Sequence, residues 1–107
     1  MTVDETSNGQ QLSVEPGEAL EICLSEIRTE GYHWDVEECG EPNLSLESER
    51  FYAPRHLPTG KHIWRFRAQA PGEARVRLSY RHSWNDAAPL QVYEVVLSVQ
   101  DASVQPH

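Results

Sequence analysis

Residues 62–80 read His62-Ile63-Trp64-Arg65-Phe66-Arg67-Ala68-Gln69-Ala70-Pro71-Gly72-Glu73-Ala74-Arg75-Val76-Arg77-Leu78-Ser79-Tyr80. His62, Trp64, Phe66 and Ala68 alternate with Ile63, Arg65 and Arg67, and after Pro71-Gly72 the residues Ala74, Val76, Leu78 and Tyr80 alternate with Arg75, Arg77 and Ser79. Successive side chains of a strand point to opposite faces, so this period of two predicts two half-buried strands joined by a turn. A helix would need apolar residues three and four apart, and Pro71 would break it.

The same period extends outward in both directions. Residues 18–25 set Leu20, Ile22 and Leu24 against Glu21 and Cys23, and the last strand sets Tyr93, Val95, Leu97 and Val99 against Val92, Glu94, Val96 and Ser98. Shorter candidates lie at 11–14, at 32–36 with Tyr32, Trp34 and Val36 inward, and near 44–52. Breakers separate them at Pro16-Gly17, Gly31, Gly40-Glu41-Pro42, Pro54, Pro58-Thr59-Gly60, Pro71-Gly72 and Ala88-Pro89. Their spacing is close to the roughly 8–12 residues expected between strands of a sandwich or small barrel. The expected fold is all-β, an immunoglobulin-like β-sandwich of about seven to eight antiparallel strands. The Cys-Trp-Cys signature of true immunoglobulin domains is absent, so the likeness is one of architecture. Residues 10–100 form the expected domain, and the polar segments 1–9 and 101–107 read as flexible tails.

The 107 residues suit one domain, and three Trp, four Tyr and two Phe distinguish the chain from a disordered one. Nine Lys+Arg against seventeen Asp+Glu give a net charge of −8, which argues against binding a phosphate backbone. No apolar run approaches the roughly 18 residues of a membrane span. The start, Met1-Thr2-Val3-Asp4-Glu5, has neither the basic region nor the apolar stretch of a signal peptide. The expectation is a cytoplasmic protein, or an exported one whose signal has been removed. Cys23 and Cys39 form no CxxC pair, and no cysteine or histidine pair has the short spacing of a structural zinc site. No metal or cofactor is expected, and a monomer is.

Enzyme readings fail on placement. His82, Ser83 and Asp86 are neighbours in one turn, whereas a triad needs groups converging from separate supports. Cys23 sits mid-strand among acidic residues that would weaken it as a nucleophile. No glycine pattern cradles a phosphate. The arginines Arg65, Arg67, Arg75 and Arg77 lie on consecutive strands that a sandwich assigns to opposite sheets, so they are expected to pair with residues such as Glu21 and Glu94.

Three loops are more informative. They run through Ile27-Arg28-Thr29-Glu30-Gly31-Tyr32-His33-Trp34, through His56-Leu57-Pro58-Thr59-Gly60 and through Tyr80-Arg81-His82-Ser83-Trp84-Asn85. They join the second strand to the third, the fourth to the fifth and the sixth to the seventh, loops that leave a sandwich at one end. Trp84 in such a loop either caps the core or binds something.

These residues resemble the chagasin family, small inhibitors of papain-like cysteine proteases. The family's first loop reads N-P-T-T-G-[YF]-x-W, matched here by Thr29, Gly31, Tyr32 and Trp34. Its W-R-F-x-A, P-G and terminal Tyr appear as Trp64-Arg65-Phe66-Arg67-Ala68, Pro71-Gly72 and Leu78-Ser79-Tyr80, and its R-P-W as His82-Ser83-Trp84. The likeness spans about residues 11–100. It implies a reversible, non-catalytic inhibitor that plugs the protease cleft with three loops. By resemblance, the protease-contacting residues are Arg28, Thr29, Glu30, Gly31 and Tyr32, then Pro58, Thr59 and Gly60, then His82, Ser83 and Trp84. Thr29 would lie over the catalytic cysteine, Trp84 would meet an apolar wall, and the Tyr32 and Trp34 rings would anchor their loop. Ile27, Arg28, Glu30, Pro58, His82 and Ser83 depart from the pattern, which keeps open a second reading: an immunoglobulin-like protein-binding module without protease inhibition.

Overall fold

The computed structural model describes residues 1–27, 31–55, 59–82 and 89–101, with backbone alone at His82. Eight strands run in chain order: β1 (Thr2–Val3), β2 (Gln11–Val14), β3 (Ala19–Glu26), β4 (Tyr32–Cys39), β5 (Leu44–Tyr52), β6 (Gly60–Ala68), β7 (Gly72–His82) and β8 (Gln91–Val99). They form two four-stranded sheets, ordered β1-β3-β6-β5 and β2-β8-β7-β4.

The period-two faces meet between the sheets. Leu20, Ile22 and Leu24 of β3 and Trp64 and Phe66 of β6 pack with Val76 and Leu78 of β7 and Val95 and Leu97 of β8, each no more than 1% exposed. Burying one such side chain contributes about 1.5–3 kcal/mol before the entropy of ordering it is counted. These residues make the fold.

Pairing direction departs from the all-antiparallel expectation at two places. β3–β6, β5–β6, β4–β7 and β7–β8 are antiparallel, but β1 runs parallel to β3 and β2 runs parallel to β8. Alternation fixes which face of a strand is buried, whereas direction is fixed only where a short turn joins neighbours. β1 and β2 join partners distant in sequence, so no hairpin constrains them. The sheets are therefore mixed.

Residues 1–9 read as a loose tail, yet part of this segment carries structure. β1 pairs with β3, and Glu5–Ser7 form a single 3-10 turn capped by Asp4, whose carboxylate accepts from the Thr6 N–H at 3.0 Å. Polarity hid this, because the segment is held by backbone pairing and a cap rather than by burial.

The arginines occupy the two outer faces. Arg65 reaches Glu21 at 3.2 Å and Glu47 at 3.3 Å, and Arg67 reaches Glu47 at 3.1 Å. On the other sheet Arg77 bridges Glu37 at 3.0 Å and Glu94 at 3.4 Å, while Arg81 reaches Glu37 at 2.8 Å. Hydrogen bonds from Arg67 and Arg81 hold the Glu47 and Glu37 carboxyls below their ordinary range. These are solvated cross-strand ladders, not a basic patch.

Candidate functional site

Strand register brings three loop stems to one end of the sandwich. Glu26 faces Gly60 across β3–β6, Tyr52 faces Lys61 across β5–β6, Tyr32 faces His82 across β4–β7, and Tyr80 faces Gln91 across β7–β8. Segments 27–31, 53–59 and 83–90 therefore leave from the same end. Arg28, Thr29, Glu30, Pro58, Ser83 and Trp84 lie outside the described residues, as does Asp86, so the site is built from its stems.

The first stem is the most heavily tied. Gly31 has φ +83°, the left-handed region that favours glycine, immediately before β4 begins. Tyr32 stacks on Tyr80 with ring centroids 5.3 Å apart, and Trp34 lies 4.8 Å from the same ring. The Trp34 indole N–H donates to the Ser25 carbonyl at 2.9 Å, and the Ile27 N–H donates to the Tyr80 hydroxyl at 2.9 Å. Tyr32 and Trp34 thus pack their rings into the stem that presents residues 28–30, and Trp34 is buried.

At the second stem Thr59 is half-buried and Gly60 is buried. A Cβ on Gly60 would collide with the Phe51 ring and sit 2.8 Å from the Tyr52 carbonyl, so close packing against β5 requires glycine there. In the third stem the Leu90 N–H donates to the Tyr80 carbonyl at 2.8 Å, tying β7 to the residue just before β8.

Two residues absent from the sequence reading stand out here. Among the described residues the exposed large hydrophobics are Met1, Tyr52 and Leu90, and the last two flank the second and third loops at 63% and 62% exposure. Tyr52 was illegible because β5 has a bulge between Leu46 and Ser48 that changes which parity faces the core. Leu90 follows Pro89 outside any alternating run.

Cys23 is a free, half-buried thiol whose pKa burial pushes up, and Cys39 is likewise a free thiol. Among the described residues no three His, Cys, Asp or Glu side chains are grouped to hold a metal, and no described helix is long and apolar enough to cross a membrane.

Residues 13–99 match the family described as Chagasin family peptidase inhibitor I42. The chain belongs to the chagasin family. That family consists of protease inhibitors rather than enzymes. Comparison of the sequence with curated proteins returned no match. Among solved structures, the chagasin-like sandwich is similar to the cysteine protease inhibitor EhICP2 from Entamoeba histolytica, with TM-score 0.83 at 17% identity over 92% of this chain and 94% of that one. It is also similar to amebosin, with TM-score 0.76 at 28% identity over 92% and 96% of the two chains. PbICP-C, solved in complex with falcipain-2, gives TM-score 0.67 at 16% identity over 92% and 98%. The likenesses at 17% and 16% identity concern the fold alone.

Proposed function

We propose that this chagasin-family chain inhibits papain-like cysteine proteases by seating residues 28–32, 58–60 and 82–84 in the active-site cleft. The observation that carries this reading is the convergence of the three loop stems at one end of a rigid sandwich. A preorganised wedge loses little conformational entropy on binding, and three loops are enough to supply a standard interface of about 800 Å² per partner.

The roles follow from the chemistry of the residues. Thr29 lies over the catalytic cysteine and excludes substrate without offering it a scissile carbonyl in register. Backbone around Thr59 pairs with an edge of the cleft, since Pro58 has no N–H to give. Trp84 presses on an apolar wall, and Tyr52 and Leu90 widen the apolar contact around it. The inhibitor performs no chemistry of its own.

The test is titration of papain and a cathepsin L-type enzyme with the protein from nanomolar to micromolar concentration. Reversible inhibition without cleavage of the inhibitor is expected. Thr29→Arg and Trp84→Ala should each weaken it by roughly 30-fold or more, the usual cost of about 2 kcal/mol for removing a central anchor. Unchanged inhibition constants for both variants would overturn the wedge. No inhibition by the unaltered protein, with capture of a single partner that is not a protease, would establish the binding-module reading instead.

A further inference from the structure

Below the loop stems the core holds a cluster of polar side chains that the wedge does not use. Glu26, the last residue of β3, is fully buried, and His62 on β6 is 3% exposed. Glu26 Oε1 accepts the Trp34 N–H at 2.7 Å and faces His62 Nδ1 at 3.0 Å. On the far side His62 Nε2 faces Glu49 Oε1 at 2.6 Å, with Glu49 46% exposed. The imidazole lies flat on Trp64, centroids 4.0 Å apart and planes 6° from parallel, and the Phe51 ring meets it edge-on.

A buried carboxylate is costly to desolvate, and an apolar side chain of similar size would fill the same place without that penalty. The ladder does not require it, since Glu26 meets Gly60 through backbone register like its neighbours. What an apolar residue would not do is accept the Trp34 N–H. That bond crosses from β3 in one sheet to β4 in the other, and it joins the residues on either side of 27–33. His62 and Glu49 hold the acceptor in place. The His62 ring bridges the two carboxyl groups through its two nitrogens, so Glu26 cannot turn away from Trp34 without giving up that contact.

The geometry points to Glu26 as the positioning residue of the first inhibitory loop, oriented by His62 and Glu49. It acts through the Trp34 backbone and touches no protease. This rests on the inhibition reading for its functional consequence, but the clamp itself is testable without a protease.

The experiment compares Glu26→Gln, which keeps the acceptor oxygen, with Glu26→Leu, which keeps the bulk and loses it. Two quantities are read in each: the inhibition constant for papain, and the exchange rate of the Trp34 amide by NMR. Glu26→Gln should stay within about 3-fold of the unaltered protein in both readouts. Glu26→Leu should raise the inhibition constant at least tenfold and speed Trp34 exchange at least tenfold, because the donor is left unpaired. Equal inhibition and equal protection in Glu26→Leu would overturn the proposal, since bulk alone would then suffice. If Glu26→Leu does not fold, Glu49→Ala decides from the half-exposed end: a rise of about 3-fold or more in both readouts supports the clamp, and no change in either refutes it. If the unaltered protein inhibits nothing, the wedge fails, and Trp34 exchange alone decides whether the clamp exists.

Discussion

Replacing Trp34 by phenylalanine separates anchoring from contact. The indole N–H donates to the Ser25 carbonyl at 2.9 Å, and its loss removes a hydrogen bond worth about 0.5–1.5 kcal/mol net. The ring is 6% exposed and packs on Tyr80, so the smaller phenyl also gives up roughly 40 Å² of buried apolar surface, about 1 kcal/mol at about 25 cal/mol per Å². Together these place the loss at about 1.5–2.5 kcal/mol. For a domain of this size that lowers Tm by about 7–11 °C. The Trp34 N–H is a backbone group, so its bond to Glu26 survives the substitution. The assay is urea denaturation followed by tyrosine fluorescence and far-ultraviolet circular dichroism, fitted with a shared m-value. A loss below about 0.5 kcal/mol at unchanged m would refute the reasoning, because neither the indole bond nor the packing would then contribute.

Three further outcomes are expected. Gly60→Ala should destabilise by about 1–3 kcal/mol in thermal unfolding, since its Cβ would strike the Phe51 ring beside the Tyr52 carbonyl; wild-type stability would show that β5 yields freely. Burial pushes the Tyr93 hydroxyl from 10.0 up to about 12, so the fold binds that proton more tightly than the unfolded chain does. Its stabilisation is therefore complete below about pH 10 and is lost as pH climbs to about 12, a decline that Tyr93→Phe should flatten in denaturation midpoints. Tyr52→Ser combined with Leu90→Ser should weaken inhibition roughly tenfold, about 1.4 kcal/mol, while stability moves by less than about 0.5 kcal/mol; unchanged inhibition would remove both from the contact surface.

The parts of the fold legible in the sequence were those written in period two. Leu20, Ile22 and Leu24, Trp64 and Phe66, and Tyr93, Val95 and Leu97 are inward by alternation alone, and all are buried. The assignment of Arg65 and Arg75 to opposite sheets followed from sandwich topology, which sends these two consecutive strands to different sheets. Bulges defeat such reading: the extra residue between Leu46 and Ser48 brings Glu49 to His62 and turns Tyr52 outward, and no residue type there announces it. Parallel pairing of β1 and β2 was equally hidden, because alternation is silent on direction. The Glu26 clamp lay beyond pattern for another reason. Glu26 continues an apolar phase as a lone acidic residue, and only three-dimensional proximity to Trp34 and His62 gives it partners.

The placement of β2 has a consequence for how the chain comes to exist. Gln11 pairs with Val96 and Val14 with Val99, so the first strand of the second sheet has no partner until the last one has been made. During synthesis β3, β5 and β6 can assemble as soon as residue 68 has emerged from the ribosome, while β2 trails beside them unpaired. Contacts so distant along the chain are the slow kind, closing in milliseconds to seconds. The second loop stem is thus complete, with His62 already between Glu26 and Glu49, before β7 brings β4 and Trp34 into place. The three stems come together only when β8 slots between β7 and β2, so one late event both closes the second sheet and finishes the third of the loop stems.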